Sequence, residues 1–213
     1  MSQTPSALLL ITTECPHCPS VLKSITELVK EGQLSSLEIV NISVSPERAE
    51  ALSVRSVPWI KLGEFVLTGL KSKAELQQWI NSSGNDDNND MSAYFEELMT
   101  SGELSKVQQM VKENPQHMQA LFNMMANDDS SLSARIGVGA IIEQLSGTEQ
   151  LINSIDALGQ YCKHKTARVR NDACYYLGLS QHLDARKYIR PLLNDEDPEI
   201  IETAKEALEE IND

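Results

Sequence analysis

The sequence predicts an α/β domain followed by an all-α region. Over residues 1–82, short apolar runs rich in β-branched residues alternate with stretches of helical periodicity. Over residues 91–213, apolar residues recur only with helical spacing. The segment between them, 83–90, has no apolar side chain and is rich in Asn and Asp, which is typical of a linker. A chain of 213 residues is long enough for two such domains.

In the first domain the predicted order of elements is β-α-β-α-β-β-α. The apolar run 7–11 predicts a buried strand, and helical periodicity begins at Pro16 and ends at Gly32. A Gly-Glu pair at 63–64 separates two short apolar runs, which predicts a hairpin. Ser72 is expected to cap the last helix. The predicted strands cover 7–11, 37–44, 57–62 and 65–68, and the predicted helices cover 16–30, 46–52 and 72–80.

The second domain is predicted to contain eight helices joined by short polar turns. An aliphatic residue followed four positions later by Ala occurs at Ile136, Val169 and Ile200, with offsets of 33 and 31 residues. Such a repeat predicts helix pairs that bury their apolar faces by stacking on one another. The predicted helices cover 93–99, 104–112, 116–125, 132–145, 149–162, 168–179, 185–193 and 199–211.

Basic residues, small residues and an Asp-Pro turn recur in a fixed pattern over 167–211. They are Arg168, Val169, Arg170, Ala173, Tyr176, Leu177, Gly178, Ile189, Leu192, Leu193, Asp195, Asp197, Pro198, Ala204, Ala207 and Leu208. This stretch resembles the HEAT-like repeat family. The resemblance implies a helical repeat domain over 91–213 that binds a protein partner.

The charge of the chain excludes some partners. There are 18 basic and 31 acidic residues, and the net charge is −13, of which −12 belongs to residues 84–213. Because phosphate backbones are bound by basic surfaces, we expect no nucleic-acid partner. No run reaches the ~18 apolar residues of a membrane helix, and the N-terminus lacks the pattern of a signal peptide. We therefore expect no membrane contact and a cytoplasmic location.

Two of the four cysteines form the motif Cys15-Pro16-His17-Cys18, between the first predicted strand and helix. This placement puts Cys15 at a helix N-terminus, where the helix dipole and free N–H groups favour a thiolate over a thiol. A protonated His17 adds to this stabilisation, and Pro16 suits the first helical position. A Cys15 thiolate is able to attack a disulfide, and Cys18 is then able to attack the mixed disulfide. If the helix starts at Pro16, Pro19 removes an early helical hydrogen bond, which predicts a slight distortion of this turn.

The alternative interpretation of the motif is a structural pair or half of a zinc site. Zinc needs four ligands and only His17 lies near the pair, so we predict no metal. Cys162 and Cys174 belong to no motif and are predicted to be buried and unreactive. The other histidines are expected at the surface or as caps; they are His117, His164 and His182. One group of basic residues predicts a solvated turn or, as the alternative, a site for acidic peptides; it comprises Lys163, Lys165, Arg168 and Arg170.

Three features of the first domain occur together: Cys15–Cys18 after a strand, Val57-Pro58 before a hairpin, and Gly69 closing it. With this order of elements, residues 5–82 resemble the thioredoxin superfamily, in particular its small glutaredoxin-like members. The resemblance implies that Pro58 is a cis proline beside the cysteines and that the Val57 backbone pairs with the substrate. The Cys-Pro-His-Cys motif is similar to that of the oxidising, disulfide-forming members, which implies a disulfide less stable than in ordinary thioredoxins.

The sequence departs from the family pattern in two places. Thioredoxins usually carry a buried acid in the strand before the motif, whereas residues 7–11 contain none and Glu14 is the nearest carboxylate. In addition, Trp59 follows Pro58 where a small hydroxyl residue is common. Trp59 is expected either to form part of an apolar substrate platform or to restrict access to the cysteines.

Two functions from different classes follow from these features. The first is a thiol–disulfide oxidoreductase in which Cys15 is the nucleophile, Cys18 resolves the mixed disulfide, and Val57, Pro58 and Trp59 contact a protein or small disulfide. It needs no cofactor beyond the cysteine pair, and the sequence leaves the direction of electron flow open. The second is a non-enzymatic adaptor, in which the HEAT-like repeats bind a partner and the cysteine pair acts as a redox switch.

Overall fold

The computed structural model describes residues 4–83 and 88–211. The chain divides into two units, Met1–Asp87 and Asn88–Asp213. In the described part of the first unit, four strands and three helices follow the predicted order. They are β1 (Ser6–Ile11), α1 (Cys18–Lys30), β2 (Ser36–Asn41), α2 (Pro46–Ala51), β3 (Trp59–Leu62), β4 (Phe65–Thr68) and α3 (Lys73–Ser83).

The strands form one mixed sheet in the order β2-β1-β3-β4. Strands β1 and β2 are parallel, β3 is antiparallel to β1, and β4 is antiparallel to β3. Consequently the ends of β1 and β2 and the beginning of β3 lie at the same edge of the sheet. Cys15 follows β1 and Pro58 precedes β3, so this topology brings the two segments to that edge.

The core lies between one face of the sheet and helices α1 and α3. Leu9 is opposite Ile60, and Ile60 is opposite Leu67, so these three fully or almost fully buried side chains share that face. The ring of Phe65 on the same face lies 5.1 Å from the ring of Trp79 in α3. The helices contribute the other buried side chains of this core, Val21, Ile25, Leu28, Leu76 and Ile80.

Helix α3 begins with a reciprocal cap, which confirms the predicted role of Ser72. The Ser72 hydroxyl accepts a hydrogen bond from the Glu75 N–H at 3.3 Å, and the Glu75 carboxylate accepts one from the Ser72 N–H at 2.8 Å. This pattern satisfies two N–H groups that the helix start would otherwise leave unpaired. The hydrogen bonds from Ser72 lower the pKa of Glu75.

Several predicted boundaries differ from the structure. Helix α1 begins at Cys18 and not at residue 16, so Pro19 lies in the first turn, where no intrahelical N–H is needed, and the predicted distortion is wrong. Strand β2 ends at Asn41, and β3 begins at Trp59. The linker predicted at 83–90 is helical at both ends, because α3 includes residue 83 and the next helix begins at residue 88; residues 84–87 lie outside the described part.

The described part of the second unit contains helices and no strand. Three of the eight predicted helices are broken into shorter segments. The stretch 116–125 begins in a 3-10 turn, Pro115–His117, and becomes helical at Met118. The stretch 149–162 forms two helices, and 185–193 is divided among two 3-10 turns, Leu183–Ala185 and Arg190–Asn194, and one short helix. The helices are α4 (Asn88–Thr100), α5 (Leu104–Glu113), α6 (Met118–Ala126), α7 (Leu132–Gln144), α8 (Glu149–Ile152), α9 (Ile155–Tyr161), α10 (Ala167–Leu179), α11 (Arg186–Ile189) and α12 (Pro198–Glu210). None of the described helices has the length and apolar content required to cross a membrane.

Three helices of the second unit begin in the same way, but not in the frame that the sequence predicted. Ser131, Thr166 and Asp197 occupy the N-cap positions of α7, α10 and α12. Three residues after each cap lies a buried side chain; these are Ala134, Val169 and Ile200. The equivalent of Val169 is therefore Ala134, and Ile136, which the sequence frame aligned with Val169, is 64% exposed. The frame was wrong by two residues because it followed the spacing of apolar residues and not the helix starts.

A buried ion pair joins α10 to the loop before α12. The Arg170 guanidinium donates two hydrogen bonds of 2.8 Å to the Asp195 carboxylate, and both side chains are about nine-tenths buried. Arg170 also donates to the carbonyl oxygens of His164 and Lys165. Arg168 pairs with Asp128 and Asp172. Both arginines are thus paired within the chain, whereas Lys163 and Lys165 of the same predicted group are exposed.

We predict that Asp195→Ala lowers the free energy of unfolding of the helical unit by about 3–5 kcal/mol, because Arg170 is left buried without its partner. The double replacement Arg170→Met with Asp195→Leu is expected to cost much less. Arg170 holds the pKa of Asp195 below its ordinary value. The stabilisation is therefore complete above about pH 4 and is lost as the pH falls through the lowered pKa of the folded protein.

Urea unfolding followed by circular dichroism at 222 nm checks this prediction. The control is Asp128→Ala, whose carboxylate is 63% exposed and pairs with Arg168, and which is expected to cost no more than about 1 kcal/mol. Equal losses for Asp195→Ala and Asp128→Ala would contradict it.

A second prediction concerns the close approach of α10 and α12. A methyl group added at Gly178 would lie 2.8 Å from the Ala207 Cβ and 3.0 Å from its Cα, so the helices must move apart. Gly178→Ala is expected to destabilise the unit by about 1–3 kcal/mol despite the better helix propensity of Ala. The matched control is Gly139→Ala in α7, where the new methyl lies 3.3 Å from the Tyr176 hydroxyl and the change is expected to be close to neutral. The same urea experiment checks both, and a neutral Gly178→Ala would be the contrary result.

Candidate redox site

Cys15 and Cys18 form a disulfide at the edge of the sheet. The S–S distance is 2.19 Å, the dihedral angle about it is 90°, and the Cα atoms are 5.4 Å apart. The sequence placed these two residues in one motif, and the structure brings their sulfur atoms into a covalent bond. The site therefore has two connected states, a disulfide and a dithiol, which differ by two electrons and two protons.

The beginning of α1 points an N–H group at this disulfide. The Cys18 N–H donates to the Cys15 Sγ at 3.1 Å, and His17 at the N-cap position makes no side-chain cap. The Cys15 sulfur thus accepts an N–H group at the start of α1, as the side chain of a capping residue commonly does. In the dithiol form, the same N–H and the positive end of the helix dipole favour a Cys15 thiolate. Pro16 and His17, predicted to tune the thiolate, are both exposed.

The two cysteines differ in accessibility. Cys18 is 3% exposed, whereas Cys15 is half-buried. A thiolate from outside therefore reaches the Cys15 sulfur before the Cys18 sulfur.

A polar network holds the loop before Cys15. The Thr13 N–H donates to the Ser43 Oγ at 3.3 Å, and the Asn41 side chain donates to the Thr13 Oγ1 at 3.2 Å. Asn41 also accepts from the Ser43 N–H at 3.0 Å. Sequence reasoning missed these residues. The signal that was available is that Thr13 follows the predicted strand 7–11, and that Asn41 and Ser43 lie near the end of the predicted strand 37–44. These strand ends meet only if the two strands are parallel neighbours.

Pro58 lies beside the end of β1. The Val57–Pro58 peptide bond is cis, and the Pro58 carbonyl accepts a hydrogen bond from the Gly69 N–H at 2.9 Å. Gly69 has φ +78°, a conformation that side chains disfavour. Trp59 pairs with Leu10 in the register, so Pro58 is next to the segment that leads from β1 to Cys15.

The predicted substrate contacts differ in exposure. Val57 is half-buried, and its backbone N–H and C=O make no hydrogen bond to another described residue. Pro58 is buried, and Trp59 is 6% exposed. The Trp59 side chain therefore offers little surface in this structure, and its role as a substrate contact stays a prediction.

The surroundings of the disulfide contain little charge. Every side chain of β1 after Ser6 is apolar, and Glu14 is exposed. Among the described residues there is no group of three or more His, Cys, Asp or Glu side chains that could hold a metal ion. The chemistry that this arrangement can perform on its own is thiol–disulfide exchange.

The remaining cysteines and histidines lie in the helical unit. Cys162 and Cys174 are buried, as predicted, and burial raises the pKa of each thiol to about 12. His182 is a cap, because it accepts the Asp184 N–H at the start of the 3-10 turn Leu183–Ala185. His164 is half-buried and accepts the Thr166 N–H just before α10. His117 occupies the N-cap position of α6 but makes no side-chain cap, and it is not at the surface, because it is 7% exposed. Its Nδ1 lies 3.1 Å from the Met110 carbonyl oxygen, and its Nε2 lies 3.3 Å from the Asn114 side-chain nitrogen.

We predict that iodoacetamide at pH 8 modifies Cys15 of the reduced, folded chain and leaves Cys162 and Cys174 unmodified. With a pKa of about 12, only about one molecule in ten thousand carries either buried thiolate at this pH. Mass spectrometry of the digested chain measures the labelling. All four cysteines are expected to react in guanidinium chloride, which is the control for reactivity. Rapid labelling of Cys162 or Cys174 in the folded chain would contradict their burial.

Comparison with known proteins agrees with this geometry. Residues 7–81 match the family model described as the thioredoxin domain, and the match contains the cysteine pair, the cis proline and all four strands except the first residue of β1. No curated protein matches the chain. The N-terminal unit is thus thioredoxin-like, and it is followed in this chain by a helical region.

Proposed function

We propose that the chain is a thiol–disulfide oxidoreductase that uses Cys15 and Cys18. The observation that carries the proposal is the difference between the two bonded cysteines: Cys15 is half-buried and accepts the Cys18 N–H, whereas Cys18 is buried. A nucleophile needs access and a stabilised thiolate, and a resolving thiol needs only to reach its neighbour.

In the reducing direction, the Cys15 thiolate attacks one sulfur of a substrate disulfide. A bond forms between Cys15 and that sulfur, and the other substrate sulfur leaves as a thiolate that takes up a proton. Cys18 then loses its proton and attacks the Cys15 sulfur. The Cys15–Cys18 disulfide forms, the second substrate thiolate leaves, and two electrons have passed from the chain to the substrate.

In the oxidising direction the same steps run backwards. A substrate thiolate attacks the Cys15 sulfur, Cys18 leaves as a thiolate, and a second substrate thiol releases Cys15. The cycle needs no bound cofactor, only a dithiol reductant or a disulfide oxidant to restore the starting state. Both directions use the same accessible sulfur.

The substrate backbone is proposed to lie along Val57. Its N–H and C=O are without a partner among the described residues, and Val57 precedes the cis proline at the edge that holds the disulfide. An extended peptide would pair with these groups as an added strand does. Pro58 would orient this segment through its bond to Gly69.

The helical unit is proposed to be a HEAT-like stack that binds a protein partner. Its support is the recurring buried position three residues after each N-cap in α7, α10 and α12, together with the close contact of Gly178 and Ala207. The adaptor function, with the cysteine pair as a redox switch, is the second candidate. Exposed apolar residues on α7, Leu132 and Ile136, favour it. The cytoplasmic location stays a prediction.

Trapping a mixed disulfide tests the redox function. Reduced Cys18→Ala is mixed with a cyclic peptide closed by one disulfide, and a covalent adduct of one peptide per chain is expected, because Cys15 attacks and nothing resolves the product. Reduced wild-type chain is expected to open the peptide and become oxidised itself. Intact-mass spectrometry distinguishes these products.

Two control variants test whether the adduct requires Cys15. Cys15→Ser keeps Cys18, Cys162 and Cys174, all buried, and is expected to form no adduct. The double variant Cys15→Ser/Cys18→Ser is expected to be inert as well. An adduct of equal yield on Cys15→Ser, or none on Cys18→Ala between pH 6 and pH 9, would overturn the proposal and leave the adaptor function.

A further inference from the structure

Helix α7 exposes an apolar stripe to solvent. Leu132 is 66% exposed and Ile136 is 64% exposed, and we call these two residues the α7 stripe. They are one turn apart, and Glu143 continues the same face about 16 Å from Leu132 along the helix axis. The opposite face of α7 is buried and contains Ala134, Val138, Ile141 and Ile142.

The α7 stripe is not explained by the packing of the repeat. The buried repeat position in α7 is Ala134, as Val169 and Ile200 are in α10 and α12. Neither residue 132 nor residue 136 is part of the core, so polar side chains at these positions would leave the packing of the helices unchanged. Large aliphatic side chains this exposed and adjacent are typical of a contact surface.

Carboxylates lie at both ends of the α7 stripe. Near Leu132, the Glu96 carboxylate accepts a hydrogen bond from the Ser131 N–H at 2.8 Å. At the other end, Glu143 accepts from the hydroxyl of Tyr175, which is 40% exposed, at 3.2 Å. The pKa of Tyr175 is raised by burial, by Glu143 and by Glu210, which places a second carboxylate near this ring.

The positive charge of Arg135, which lies next to Ile136 in α7, is compensated by a carboxylate of the same chain. Arg135 of α7 is half-buried and acts on the carboxylate of Asp172 in α10. The surface therefore offers apolar area with an excess of negative charge, as does the part of the chain from residue 84 onward, with its net charge of −12. A basic partner is favoured over an acidic one.

The backbone of α7 restricts the form of the partner. Its N–H and C=O groups are used within the helix, so an extended peptide laid on the stripe would leave its own backbone unpaired. A helix satisfies its backbone internally and presents only side chains, as helices do when they bind apolar grooves.

We propose that the α7 stripe, with Tyr175, docks a cationic amphipathic helix of a partner protein. Its apolar side chains cover Leu132, Ile136 and the Tyr175 ring, and its lysines or arginines face Glu96, Glu143 and Glu210. This inference rests on the proposed partner-binding role of the helical unit and not on the redox chemistry.

Fluorescence anisotropy of a labelled synthetic peptide tests the docking surface. The probe is a Leu/Lys peptide of about 18 residues with leucines at helical spacing, and it is added to the full chain. Leu132→Ser/Ile136→Ser is expected to weaken binding at least tenfold. Glu143→Gln/Glu210→Gln, which keeps the apolar area, is expected to weaken binding and to make it less sensitive to salt.

The matched control is Leu183→Ser, which removes an apolar side chain that is 53% exposed elsewhere in the unit. It is expected to bind the probe as the wild-type chain does. A peptide of the same composition in scrambled order, and one with Glu in place of Lys, are expected to bind at least tenfold more weakly. Circular dichroism checks that each variant keeps its helices.

Three results would overturn the proposal. They are unchanged binding by Leu132→Ser/Ile136→Ser, an equal loss with Leu183→Ser, or equal binding of the scrambled peptide. The redox function is measured independently of probe binding. Cys15→Ser/Cys18→Ser is expected to bind the probe as the wild-type chain does. Reduced Leu132→Ser/Ile136→Ser is expected to open the cyclic disulfide peptide as the wild-type chain does. A failure of either proposal therefore leaves the other standing.

Discussion

The redox site depends on the burial of one face of a four-stranded sheet beneath α1 and α3. Covering Leu9, Ile60 and Leu67 fixes the direction in which α1 leaves the sheet. Its first N–H then points at the sulfur of the residue three positions earlier, Cys15. No catalytic side chain other than the two cysteines is needed, since backbone groups supply the electrostatic stabilisation.

The four cysteines illustrate how strongly the surroundings decide the reactivity of one side chain. Cys15 lies at a helix start with a donor N–H and partial access to solvent. Cys162 and Cys174 lie among apolar helix residues, and burial raises their pKa far above neutral pH. The chain thus confines thiol chemistry to one edge of one domain, even though half of its cysteines are elsewhere.

In the helical unit, specific polar and steric contacts supplement a core poor in aromatic residues. Only 5% of the chain is aromatic, so helices approach closely through small residues such as Gly178 and Ala207. Arg170 and Asp195 add a buried ion pair between α10 and the loop before α12. The same helices leave Leu132 and Ile136 uncovered.

The sequence alone determined the order of the elements, the position of the cysteine pair between a strand and a helix, and the cap at Ser72, because these follow from local periodicity and from the chemistry of adjacent residues. It aligned Ile136 with Val169 and Ile200, whereas the helix starts align Ala134 with them, since apolar spacing does not show which helix face a neighbour covers. Tertiary structure decided that Trp59 and His117 are buried, that Arg168 and Arg170 are paired internally, and that Asn41 supports the loop before Cys15. Each of these outcomes depends on contacts between residues far apart in the chain, and local sequence carries no information about such contacts until the strands and helices are assembled.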